Sequence, residues 1–250
     1  MGNIFHLYLV VPFFNALILI YNFLPWPDIG AATILLTFVI RLIFFPLFYK
    51  STKQQIIMSQ LQPELQKIQK EYKDDKKKQV KAQMDLYKKH KVSPFGSCLL
   101  TLLQLPIIFA VYRVFLNGFS SERMADLYNF VSKPEVVNSM FLGFINLAKP
   151  NFGLTIIAAA LQFISSKMLM PSTNQSNTSG QPAQKMAAVM QKQMIFLGPI
   201  ITLVILGTLP SIIALYWSAT TVFSILQQWL TQKRVQVEIS ETKNNDGGRN

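Results

Sequence analysis

The chain holds one cysteine, Cys98, and two histidines, His6 and His90, in 250 residues. A single thiol excludes an internal disulfide framework, and two distant imidazoles beside it leave no cluster for a metal. Charge is scarce as well. Charged side chains make up 14% of the sequence, against about a quarter in soluble domains. Acids are scarcest, 12 against 24 Lys and Arg. There is no GxxxxGK[ST] loop, no nucleophile elbow and no HExxH pair. The common signatures of nucleotide hydrolysis, acyl transfer and zinc proteolysis are therefore missing. The chain does not read as an enzyme, and no cofactor is expected.

What the chain has is apolar length. Half of it is hydrophobic, and several runs approach or exceed the ~18 residues that suggest a spanning helix. The expected fold is all-α: a polytopic membrane protein with a five-transmembrane-helix bundle. Spans fall at about 29–48, 94–117, 152–170, 193–209 and 211–230. At ~1.5 Å per residue the first reaches ~30 Å, the thickness of the hydrocarbon core. Residues 3–24 are apolar too, but Pro12 and Asn15 interrupt them, and His6, Tyr8, Tyr21, Asn22 and Trp26 are interfacial types. That segment fits either a span or an interfacial helix. "MGNIFHLYLVV" has no basic n-region, and no small-residue cleavage site follows it, unlike a cleavable signal.

Residues 49–92 change character. Twelve lysines face five acids there, a net of +7. Ile57, Leu61, Leu65, Ile68 and Tyr72 recur at helical spacing, and so do Val80, Met84 and Tyr87. With "KDDKKK" as the turn, the stretch predicts an antiparallel helical hairpin whose two apolar stripes face each other. Pro63 is expected to start or kink its first helix. Lys67, Lys70, Lys73, Lys76, Lys77, Lys78 and Lys81 form its basic surface. Such a surface sets topology, and it also fits anionic lipid headgroups or ribosomal RNA. Residues 118–150 are charge-balanced, 171–185 are low-complexity and polar, and 233–250 read as a disordered tail. Because Lys and Arg stay inside, the hairpin, Lys167, Lys185, Lys192, Lys233 and Arg234 are expected in the cytoplasm. The N-terminus is then outside and the C-terminus inside.

Arg41 stands within "LTFVIRLIFFPL", the thirteenth residue of the first span. A guanidinium at a helix centre costs roughly 2.5 to 3.5 kcal/mol on insertion scales. Two readings are open. The side chain can snorkel to the headgroups, or it can face a polar cavity. Thr33, Thr37 and Arg41 recur every fourth residue and share a face. Ser97, Thr101 and Gln104 do so on the second span, Thr155, Gln162 and Ser166 roughly on the third, and Trp217, Thr221, Ser224 and Gln228 on the fifth. Any one stripe is ordinary helix–helix hydrogen bonding, worth about 0.6 kcal/mol per bond. Four stripes and an arginine are better explained by a shared hydrated groove. Arg113, near a span end, reads as snorkelling, and Cys98 as a small packing residue.

The ordered series "ILLTFVIRLIFFPLFYKSTK", "LQPELQKIQKEYKDDKKK", "LYKKHKVSPFGSCLLTLLQLPIIFAVYRVF", "FISSKMLMP" and "LYWSATTVFSILQQWL" resembles the YidC–Oxa–Alb membrane insertases. The likeness extends over about residues 5–232. It implies an interfacial helix and turn in residues 1–28, an insertase core over 29–232, and a hydrophilic groove open to cytoplasm and lipid but closed outward. It implies Arg41 as the groove arginine and Trp217 as a groove aromatic. Ser165 stands near a position where relatives often carry glutamine, and here Gln162 lies one turn away. Thr33, Thr37, Thr101, Gln104 and Thr221 complete the candidate groove. The implied function is insertion of small or weakly hydrophobic membrane proteins in the bacterial cell membrane. The expected partners are nascent membrane-protein substrates, the ribosome, anionic phospholipids and the Sec translocon, with the protein itself a monomer. The rival is a secondary transporter of a small anionic solute. Transporters usually show internal repeats and acidic coupling residues, whereas here no repeat is visible and no span contains Asp or Glu.

Overall fold

The structure, a computed structural model, describes the backbone of residues 2–93, 96–116, 119, 123–169 and 195–247, and the side chains of 4–93, 104–115, 119, 123–169 and 195–235. It is helical almost throughout. Helix α1 (Gly2–Phe5) passes through a π-turn (His6–Val10) into α2 (Val11–Phe23). There follow α3 (Ile29–Ile43), α4 (Phe45–Gln60), α5 (Gln62–Glu71), α6 (Lys76–Lys89), α7 (Gly96–Leu116) and α8 (Phe152–Met168). Then come α9 (Ile195–Leu206) and α10 (Ser211–Gly247). The only strands among the described residues, β1 (Met140–Phe141) and β2 (Ile145–Asn146), make an antiparallel two-residue ladder.

One predicted straight helix is broken. The first span, expected over 29–48, stops at Ile43, and α4 leaves at 74° to α3. Pro46 sits in the first turn of α4. It has no N–H to give the Leu42 carbonyl, and its ring opposes a continued helix. Pro63 acts likewise, in the first turn of α5. At the other end the reading also fails. The last span was placed at 211–230 with a disordered tail behind it, but α10 continues to Gly247. Among the described residues, His6–Phe23 is the one helix long and apolar enough to cross a membrane by itself; α3 and α4 qualify only together.

The main core joins α2, α3, α7, α8 and α10. Phe14, Leu17, Ile18, Ala32, Val111, Val114, Ala158, Ile212 and Ala214 are all fully buried in it. Asn15, which interrupts the apolar run in the sequence, is buried there. Its amide donates to the Asp126 carbonyl (2.9 Å) and accepts from the Tyr128 N–H (2.6 Å). This fixes the 123–148 segment along α2. Asp28 anchors the same segment from α3. One carboxylate oxygen caps α3 by accepting from Gly30 and Ala31 N–H; the other accepts from Leu142 N–H at 2.7 Å. Backbone bonds from Ser211 to Lys149 and from Ile212 to Leu147 tie in the start of α10. These bonds tie the loop end of the bundle together around a cavity of about 260 Å³ between Ile29, Phe115, Phe119, Val137 and Leu147.

At the opposite end the α5–α6 hairpin has its own small core of Leu61, Leu65, Leu86 and Val92. Helices α5 and α6 pack together, and of the α6 residues expected on the inner face Tyr87 packs against this core while Val80 and Met84 do not. Val80 and Met84 are exposed, 59% and 44%, and Leu86 is the buried residue. Gln79, Ala82, Gln83, Leu86 and His90 face inward at the i, i+3, i+4, i+7 spacing of one helix face.

Candidate functional site

Arg41 lies in the last turn of α3 and is 7% exposed. Its side chain is buried inside the bundle. It lines a cavity of about 390 Å³ between α3, α4, α7, α8 and α10. Gln104 comes from α7, Gln162 and Ser165 from α8, and Trp217, Thr221 and Gln228 from α10. The α10 residues recur every three or four positions, so one face of one helix supplies a polar wall.

The wall is cross-braced. Gln104 Nε2 donates to the Tyr216 hydroxyl at 2.7 Å, Trp217 Nε1 to Gln162 Oε1 at 3.3 Å, and Gln228 Nε2 to Ser165 Oγ at 3.0 Å. Two lining atoms, Thr220 Oγ1 and Gln228 Oε1, are buried without a partner among the described residues. Buried polar atoms of this kind are ordinarily satisfied by water.

The arginine's own environment is unusual in what it omits. No carboxylate lies within ion-pair distance among the described residues. Two weaker features act in its place. The C-terminus of α3 presents the negative end of a helix dipole, and that terminus exists because the helix breaks after Ile43. The guanidinium also stacks on the Phe48 ring, 4.2 Å from Cζ to the centroid.

Of the residues expected in the groove, Arg41, Gln104, Gln162, Ser165, Trp217 and Thr221 meet at this cavity. Thr33 and Thr37 do not line it. Both are buried on α3, and each hydroxyl donates to the carbonyl four residues back at 2.7 Å. Thr101 lies outside the residues whose side chains are described. Sequence reasoning missed Thr220, Leu105, Ile108 and Phe48. Thr220 was legible as a neighbour of Thr221, while Phe48 enters only through the bend. Leu36, Ala110, Val111, Ala158, Ile213 and Ala214, which lie between this cavity and the loop end in chain order, are buried in the main core. The seven hairpin lysines, Lys67, Lys70, Lys73, Lys76, Lys77, Lys78 and Lys81, are all exposed.

Among the described residues the bundle thus holds a buried cation without a carboxylate partner beside a polar cavity. Comparison with known proteins identifies the family. Residues 19–238 match the family described as 60Kd inner membrane protein. The chain is 36% identical over 209 residues to the membrane protein insertase YidC of Clostridium tetani, covering 83% of each. It is 30% identical over 207 residues to that of Fusobacterium nucleatum, 83% of this chain and 87% of the other. Against that of Maridesulfovibrio salexigens it is 35% identical over 207 residues, and it spans only 35% of that longer protein. The chain belongs to the 60Kd inner membrane protein family, the family of the YidC insertases.

Proposed function

We propose that the protein is a membrane insertase of the bacterial cell membrane, in which the Arg41 cavity receives the polar flank of small or weakly hydrophobic membrane proteins. The observation that carries this is the buried guanidinium with no carboxylate partner among polar side chains of three other helices. A 20-residue apolar helix gains roughly 6 to 12 kcal/mol on entering lipid, so equilibrium needs no assistance. The barrier is the polar flank, which must cross hydrocarbon. A polar cavity partway across lowers that barrier, and a fixed positive charge favours acidic flanks most. An inside-negative potential then draws each negative charge outward by ~2.3 kcal/mol per 100 mV.

Five spans, α3 with α4, α7, α8, α9 and the first part of α10, fit this role, with α1–α2 packed at the outer surface and the hairpin in the cytoplasm. The fourth span, about 17 residues over 193–209 by sequence, measures ~25 Å, short of a ~30 Å core. A short span thins the bilayer beside it. The exposed basic hairpin is the capture surface for nascent substrates, ribosomes and anionic lipid, with the protein acting as a monomer alone or beside the Sec translocon. No acid stands in the spans to couple transport, so the transporter reading is disfavoured.

The test is insertion into proteoliposomes at matched protein levels, using a small single-span substrate with an acidic N-terminal tail and the same substrate with the acids neutralised. Arg41→Ala is expected to impair the acidic substrate and Arg41→Lys to retain much of the activity. Neutralising the tail should shrink the Arg41→Ala defect, because both changes remove one interaction. Strict additivity of the two changes would overturn the reading.

A further inference from the structure

Phe48 is the aromatic residue the bend delivers. On an unbroken helix, residues seven apart sit ~10.5 Å from one another along the axis, and an arginine side chain leans toward the N-terminus, away from position i+7. The 74° turn between α3 and α4 reverses this. It folds the Phe48 ring back over the Arg41 guanidinium, 4.2 Å from centroid to Cζ. The ring is 1% exposed and lines the same cavity. Among the described residues no carboxylate pairs with that guanidinium and no other ring lies over it; its remaining polar neighbour is the Tyr216 hydroxyl.

We infer that Phe48 is a positioning residue that holds the Arg41 guanidinium flat against its ring, with the N–H donors at the guanidinium edge free for an acidic group. This rests on the insertase reading and adds a residue to it. A carboxylate in the same place would also hold the arginine, but it would occupy those donors and cancel the charge. A π face attracts a desolvated cation without accepting its in-plane hydrogen bonds. The substrate's acid thus meets a cation that is oriented and not neutralised. Pro46 belongs to the same device, since it is the residue that breaks the helix.

Fluorination of the ring tests this at constant shape. Phe48 is replaced by mono-, di- and trifluorinated phenylalanine, which progressively weaken the negative ring face. Insertion of the acidic-tail and neutralised-tail substrates is then measured in proteoliposomes. Acidic-tail insertion is expected to fall stepwise along the series, with the neutralised substrate unchanged. Phe48→Leu should lower the acidic-tail rate roughly five- to thirtyfold, the factor a desolvated cation–π contact represents. A second readout needs no insertion activity: the Arg41 side-chain NMR resonances in nanodiscs should carry an upfield ring-current shift that Phe48→Leu removes. A flat fluorination series, with Arg41→Ala still selective against acidic tails, would overturn the positioning role and leave the insertase reading intact. Loss of that selectivity from Arg41→Ala itself would overturn both. Absence of the ring-current shift in the parent would overturn the contact whatever the insertion data.

Discussion

Asp28 performs two tasks with one carboxylate, capping α3 and holding the Leu142 N–H of the 140–146 hairpin. Leu142 and Gly143 both adopt positive φ, 52° and 80°, so this tight turn depends on an external acceptor. Asp28→Ala should destabilise the protein by about 1 to 3 kcal/mol, the combined range for a lost cap and an unsatisfied buried donor. Asp28→Asn should cost less, because it keeps an oxygen at the cap. Thermal unfolding in nanodiscs measures both, and equal losses for the two variants would contradict the capping role. At this scale some of the site was readable beforehand. Arg41 stood out because a permanent cation in an apolar run is costly. Gln104, Gln162, Trp217 and Thr221 followed from periodicity, whereas Ser165 followed only from the resemblance and its periodic neighbour Ser166 does not line the cavity. Thr33 and Thr37 share the helical face, but periodicity reports direction and not depth, and a threonine hydroxyl satisfied by its own helix needs no cavity. Phe48 was hidden because an apolar side chain in an apolar run carries no signal. Its role arises from a bend between it and Arg41.

That bend is the main lesson among the elements. Pro46 was visible in the sequence, yet "LTFVIRLIFFPLFYK" also satisfies the length and hydropathy of a straight span, and nothing local decides between a tolerated kink and a break. The hairpin illustrates a different limit. Apolar spacing points to Val80, Met84 and Tyr87 for the inner face of α6, but of these only Tyr87 packs on the small core, beside the buried Leu86. Leu86→Ala should therefore destabilise the hairpin by about 2 to 3 kcal/mol, whereas Val80→Ala should stay within about 0.5 kcal/mol. Amide exchange across α5 and α6 distinguishes them, and the reverse order would restore the sequence-derived face. The start of α6 adds a pH dependence. Asp75 caps it by accepting from the Lys78 N–H at 3.0 Å, and its side chain pairs with the Lys78 ammonium at 3.2 Å. The backbone bond, helped by that ammonium, holds the carboxyl below its ordinary value. A depressed folded-state value means that the cap's contribution is complete above the ordinary carboxylate range and is lost as pH falls through the lowered one. Exchange protection of the first α6 turn should fall on such acidification, and Asp75→Asn, which retains a cap oxygen without titrating, should remove the dependence.

For the molecule as a whole, direction is everything. The buried apolar layer from Leu36 to Ala214 stands on the loop side of the polar cavity in chain order, so the orientation in the bilayer decides which compartment the cavity serves. The geometry is indifferent to this; the charge distribution is not. Residues 49–92 carry a net +7, and residues 118–150 carry three bases against three acids. Lysine-rich loops are retained in the cytoplasm; on the proposed topology the hairpin therefore faces inward and the loop end outward. Site-directed labelling checks the assignment in intact cells. In a Cys98→Ser background, Ser132→Cys reports the loop end and Val80→Cys the hairpin, both at exposed positions. An impermeant thiol reagent added outside should modify Ser132→Cys and spare Val80→Cys until the membrane is permeabilised. Labelling of Val80→Cys alone would invert the protein and place the Arg41 cavity on the wrong side for capturing chains from the ribosome. Labelling of both in sealed cells would break the alternation of spans and with it the five-span arrangement. The hairpin lysines supply the driving asymmetry, so replacing Lys76, Lys77 and Lys78 by Gln should leave this pattern in place, because most of the +7 remains. The same variant should bind anionic vesicles more weakly at low salt and lose part of the parent's salt dependence, since each lysine near the surface contributes about 1 kcal/mol of screened attraction. Equal vesicle binding by parent and variant would confine the lysines to setting topology and remove them from capture.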